Sequence, residues 1–146
     1  RSNFHAQEVP VSLDRQSTHP GYLLGRLFAE LESAQRGALG DQVNATIRDR
    51  YYGAASATPA SVFPMLLRNA QNHLSNMRKK DKGGLAYRIE QEISTIIDGL
   101  GDTFPRHLKI EDQGRFAIGY YHQSQARFAK RDSAMTPEES TQGEDA

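Results

Sequence analysis

Leu85, Ile89, Ile93, Ile96, Ile97 and Leu100 recur every three or four positions, the period of a helix with one buried face. Arg88, Gln91, Glu92 and Thr95 fall on the opposite side of that helix. The period returns elsewhere. Leu24, Leu27, Phe28 and Leu31, with Ala34 behind them, predict a helix that starts near Pro20 and ends around Gly37 and Gly40. Phe63, Leu66, Leu67, Ala70, Leu74 and Met77 predict another from about Pro59. Phe116 and Tyr120 share a face of a last one, from about Ile110 to Lys130. No stretch of useful length alternates apolar and polar residues as a half-buried strand would. The expected fold is all-α, a single bundle of about five helices, and one core suits 146 residues.

The second helix of the five comes from the stretch Asn44 to Arg68. Asn44 can cap it, Gly53 suits its end, and Ala54 to Ala57 forms a small-residue elbow. Thr58 and Pro59 open the long helix that follows, and Pro64 predicts a kink or a later start. Arg26 falls off the first helix's apolar stripe, where Glu30 can pair with it at the surface. Residues 1 to 18 show apolar groups without a period and read as an extended arm. Residues 19 to 132 are the bundle domain. Residues 133 to 146 are polar and acidic and are expected to be disordered.

Charge points to a partner. The totals balance at 18 basic and 18 acidic residues. Residues 48 to 88, however, hold eight basic and two acidic residues, a local +6, and residues 106 to 131 hold six and two, a local +4. Such regions suit a polyanion. Arg48, Arg50, Arg68, Arg78, Lys79, Lys80 and Lys82 are the candidates for one nucleic-acid-binding surface, and Arg115, Arg127, Lys130 and Arg131 for a second. Arg78 to Gly84 reads either as a helix end with favourable cations or as a mobile basic loop. Of Tyr51, Tyr52, Tyr120 and Tyr121, each adjacent pair spans two faces, so one member of each belongs to the core.

Catalytic patterns are missing from the sequence. The five histidines show no ligand spacing, and Glu90 and Glu92 point to different faces. There is no nucleophile elbow, no cysteine and no phosphate-binding loop. The expectation is a protein that is not an enzyme and carries no metal or cofactor. No apolar run approaches a membrane span, and the lack of cysteine fits a reducing, cytoplasmic compartment. Two readings stand on the residues alone: a nucleic-acid-binding helical module, and a structural helical adaptor whose basic residues are merely solvated.

Three stretches together resemble one family. They are Tyr22-Leu23-Leu24-Gly25-Arg26-Leu27-Phe28-Ala29, the Asn44 to Arg68 stretch, and Gln113-Gly114-Arg115-Phe116-Ala117-Ile118-Gly119-Tyr120-Tyr121-His122-Gln123. In this order they resemble the C-terminal region of the large subunit of type I-C CRISPR effector complexes (Cascade), over about residues 20 to 128. A chain of this region alone is similar to that family's small, all-helical subunit. The resemblance implies a role without nuclease activity. It implies contact with the CRISPR backbone subunits, the large subunit, neighbouring copies, guide RNA and opened target DNA. It favours the nucleic-acid-binding reading over the adaptor.

Overall fold

A computed structural model describes residues 12–135, with side chains described through Arg127. Five α-helices account for most of them: α1 (Pro20–Leu39), α2 (Ile47–Ala57), α3 (Pro59–Lys79), α4 (Gly83–Leu100) and α5 (Ile110–Met135). A single 3-10 turn, Gly40–Gln42, follows α1. Among the described residues there is no strand, so the all-α bundle is the observed fold. The expected arm is described only from residue 12, and Phe4, Val9 and Val11 lie outside the described residues. So does the expected tail from residue 136 onward. α5 itself runs five residues past its expected end at Lys130, so residues 133–135, the first three of the expected disordered tail, are helical instead.

α1 is the axis. Every residue from Gly21 to Ala34 is buried, because α2, α3, α4 and α5 all pack on it. α2 touches both α5 and α3, and α3 touches α4. The four outer helices thus form a partial ring that stays open between α4 and α5. This corrects the surface reading of Arg26 and Glu30, which are 3% and 4% exposed. A period-based reading assumes one buried face, and α1 has no exposed one over this span.

Glycine sets how closely α1 and α5 cross. A Cβ on Gly25 would collide with the Phe116 carbonyl oxygen and stand 2.7 Å from the Tyr120 nitrogen. One on Gly119 would collide with the Tyr22 carbonyl, and one on Gly21 with that of Asp112. The helices therefore meet backbone to backbone. Beside this crossing, the Phe28 ring packs on Tyr52, Phe63, Phe116 and Tyr120, with centroids 5.7 to 6.4 Å apart. Phe63 stacks on Phe104 at 5.3 Å, tying the α4–α5 connection to α3.

The ends of α2 differ from expectation. Thr46, not Asn44, is the cap. Its hydroxyl accepts from the Asp49 N–H, and the Asp49 carboxylate accepts from the Thr46 N–H. This reciprocal pair satisfies two donors that a free helix start would leave open. Gly53 lies inside α2, which continues through Ala57. The turn comes at Thr58, and α3 starts at Pro59 with Pro64 inside it, on the exposed side. A helix end at Pro64 is avoided because Val62, Phe63 and Leu66 around it are buried.

Candidate nucleic-acid interface

α3 contains no aspartate or glutamate in its 21 residues. Arg68, Asn72, Asn76 and Lys79 are exposed and recur at helical spacing, so they share one face. The face carries cations and amide groups, both of which can donate to phosphate oxygens.

The elbow arginines do not join it as a pair. Arg48 and Arg50 are two positions apart, which on a helix turns them to nearly opposite sides. The Arg48 guanidinium lies over the Tyr120 ring of α5, 5.4 Å from its centroid. Arg50 points the other way and lines a pocket with Asn69 and His73 of α3. Burial depresses the His73 pKa, which keeps its ring neutral near pH 7.

The basic end of α3 and the short turn after it have two of their cations engaged. Arg78 pairs with Glu90 of α4. Lys82 donates from Nζ to the Gly37 carbonyl oxygen at 3.0 Å, holding the turn to the end of α1. Asp81 takes φ 61°, a left-handed conformation that closes the turn. Lys79 and Lys80 remain exposed, with no partner among the described residues.

The second set of candidates is divided. Arg115 is exposed beside the start of α1. Arg127 is half-buried twelve residues further along α5, roughly 18 Å away along the axis. Burial lowers its pKa, while the Glu30 and Glu32 charges favour its charged form. The Lys130 and Arg131 side chains lie outside the described ones. Of the candidates, α3 thus carries two, Arg68 and Lys79, on one exposed face, with Asn72 and Asn76 between them.

A buried polar network fills the side of α1 that faces the gap in the ring. Arg26 Nε donates to Gln123 Oε1 at 2.9 Å, and Gln123 Nε2 donates to Glu30 at 2.8 Å and to Glu92 at 3.2 Å. Glu92 accepts twice from Arg15, at 2.9 and 3.1 Å. Away from that gap, on another side of α1, Tyr120 donates to Glu32 at 2.6 Å, and burial together with that bond pushes its pKa up to about 12. Above the network lies a cleft of about 700 Å³ whose walls carry both the acidic Glu30, Asp41 and Glu92 and the basic Arg15, Arg36, Arg88 and Arg127. Glu92, expected on an exposed face, thus turns inward, and no pattern in the sequence marks Gln123. Their partners are too distant in the chain for any local pattern to show them.

The tyrosine pairs split as the two-face argument requires. Tyr52 and Tyr120 pack in the aromatic core, while Tyr51 is half-buried and Tyr121 is 51% exposed. Among the histidines, His122 Nδ1 lies 2.8 Å from the Tyr22 hydroxyl, and His19 Nδ1 accepts from the Gly21 N–H at the start of α1. Among the described residues no three His, Asp or Glu side chains are placed to hold a metal ion. No described helix is long and apolar enough to cross a membrane.

A family model described as CRISPR-associated protein (Cas_Csd1) matches residues 1–128 of the chain. The chain belongs to the Csd1 family. No curated protein matches it. Within this Csd1-family chain the three resembling stretches are largely packing elements. Gly25 and Gly119 form the α1–α5 crossing, and Tyr52, Phe63, Phe116 and Tyr120 surround Phe28. The exposed α3 face begins where the middle stretch ends, at Arg68.

Proposed function

We propose that this Csd1-family chain acts as a non-catalytic, cytoplasmic small subunit of a type I-C CRISPR RNA-guided complex. In that role it packs along the backbone subunits, beside the large subunit and further copies of itself, with guide RNA and target DNA close by. Its task is to stabilise the opened target through contacts that do not read sequence. The observation that carries this reading is the acid-free α3 face with Arg68, Asn72, Asn76 and Lys79. Exchanging a DNA duplex for a guide–target heteroduplex is nearly balanced in energy, so a few backbone contacts suffice to tip it. Arginine and lysine on a rigid helix supply such contacts at little ordering cost.

The adaptor reading retains a specific support. Arg78, Lys82 and Arg127 are occupied by Glu90, the Gly37 carbonyl and the Glu30 region, so part of the positive charge serves the fold. The Arg68→Glu/Lys79→Glu variant separates the two. The nucleic-acid reading expects weaker binding of single-stranded DNA of any sequence. It also expects a log–log salt slope smaller by about 0.7 for each lost contact. Unchanged affinity and slope would leave the adaptor.

A further inference from the structure

A pocket of about 140 Å³ lies between α1, α2 and α3. Its floor is apolar, with Leu31 and Leu66 buried there. Tyr51 and His73 stand half-buried on its wall, and Arg50 and Asn69 are exposed at its mouth. None of these four side chains makes a hydrogen bond among the described residues, so several polar groups are left unengaged around one cavity, beside the half-buried Tyr51 ring that lines it and packs against the core. Asn69 and His73 lie beside Asn72 and Asn76 on α3, so the mouth opens along the edge of the acid-free face.

We propose that this pocket seats one unstacked pyrimidine base of a single nucleic-acid strand whose phosphates follow Arg68 and Lys79 along α3. The inference rests on the reading that this face holds a strand, and it adds a base contact to that reading. An apolar cavity of about 150 Å³ admits one six-membered ring. A pyrimidine therefore fits, whereas a purine brings a second ring. The apolar floor takes the ring, and Tyr51 offers a stacking face. The Asn69 amide and the neutral His73 imidazole each offer both donor and acceptor to the base edge. No carboxylate lines the pocket. A strand held here gains a modest preference for pyrimidines without a code.

The test uses the full chain and fluorescein-labelled single strands of equal length: oligo-dT, oligo-dA and a strand made wholly of abasic sites. Phosphate number is constant, so differences report the bases. The pocket requires oligo-dT to bind at least about fivefold more tightly than the abasic strand, the lower end of what one stacked base contributes. It requires oligo-dA to bind less tightly than oligo-dT. Ala45→Phe fills the pocket from its half-buried connecting segment. It should bring oligo-dT to the abasic level while leaving the salt slope unchanged. A strand carrying 5-iodouracil should crosslink on illumination to Tyr51 or His73, a readout that needs no variant. If all three strands bind equally with a normal salt slope, the pocket is overturned and the strand-holding face survives. If no strand binds, both fall.

Discussion

Gln123 donates to the Glu30 carboxylate at 2.8 Å while accepting from Arg26 at 2.9 Å, so one neutral amide joins two buried charges on consecutive turns of α1. The amide gives each ion a hydrogen bond of the sign it needs. Gln123→Leu keeps the volume and removes both bonds, together with the one Gln123 donates to Glu92. Arg26 and Glu30 would then be buried with their hydrogen bonds unmade, an expense of about 3 kcal/mol. The urea midpoint should fall accordingly, with the m value unchanged. A midpoint within experimental error of wild type would show that the network relaxes to water.

The two carboxylates that Gln123 touches should respond to pH in opposite senses. Burial raises the Glu30 pKa above its ordinary value of 4.5, against the Gln123 bond and the Arg127 charge. Between 4.5 and that raised value the folded chain keeps a proton that the unfolded chain has lost, so stability falls as pH rises. Glu92 is also penalised by burial, but the bonds from Arg15 and Gln123 and the Arg15 and Arg26 charges prevail and lower its pKa. Its contribution is complete above the ordinary carboxylate value and is lost as pH falls through the lowered one. Glu30→Gln should therefore flatten the decline of melting temperature on the higher-pH side and leave the acid side in place. Parallel profiles for wild type and variant would refute the assignment.

The α1–α5 crossing offers a sharper contrast. A methyl on Gly25 or Gly119 meets a carbonyl oxygen of the facing backbone, which no rotamer change relieves. Gly25→Ala and Gly119→Ala should each be destabilising by about 3 kcal/mol, the upper range for overpacking. Gly114 lies on the same α5 with nothing within 4 Å of an added Cβ. Gly114→Ala should instead stabilise the chain by up to about 1 kcal/mol through helix propensity. Thermal denaturation of the three variants side by side decides it, and equal losses would mean that the helices do not meet as described.

The helices were legible in the sequence because α3, α4 and α5 each bury one stripe, and a stripe is what periodicity detects. α1 was found for the same reason but misjudged, since Arg26 and Glu30 interrupt its stripe without reaching the surface. The residues that answer them arrive late in the chain: Gln123 is 97 positions from Arg26. The capping box of α2 was present as Thr46 and Asp49, yet Asn44 offered the same chemistry two residues earlier. As for the interface, charge counted along the chain is not charge arranged in space. The separation of Arg48 from Arg50 follows from a spacing of two on any helix. The capture of Arg78 and Lys82 by α4 and α1 requires the tertiary fold.

That capture changes how the basic turn should be tested. Reversing all four of its cations would confound grip with folding. Arg78→Glu places a carboxylate against Glu90, and Lys82→Glu removes the donor to the Gly37 carbonyl. Arg78 and Glu90 are both well exposed, so the pair itself is worth at most about 1 kcal/mol. Arg78→Glu should therefore lower stability slightly, and Arg78→Glu/Glu90→Arg should recover most of the loss. Lys79 and Lys80 are exposed without partners among the described residues, so Lys79→Glu/Lys80→Glu should change stability by no more than about 0.5 kcal/mol. With the fold intact, the double variant isolates the turn's contribution to strand binding. If the turn contacts phosphates, single-stranded DNA binds more weakly and the log–log salt slope shrinks by about 0.7 per lost contact, whatever the sequence. If Lys79 alone makes contact, as a member of the α3 face, Lys79→Glu reproduces the whole effect and Lys80→Glu has none. Unchanged affinity in the double variant would remove the turn from the interface and restrict it to Arg68 and the amides of Asn72 and Asn76.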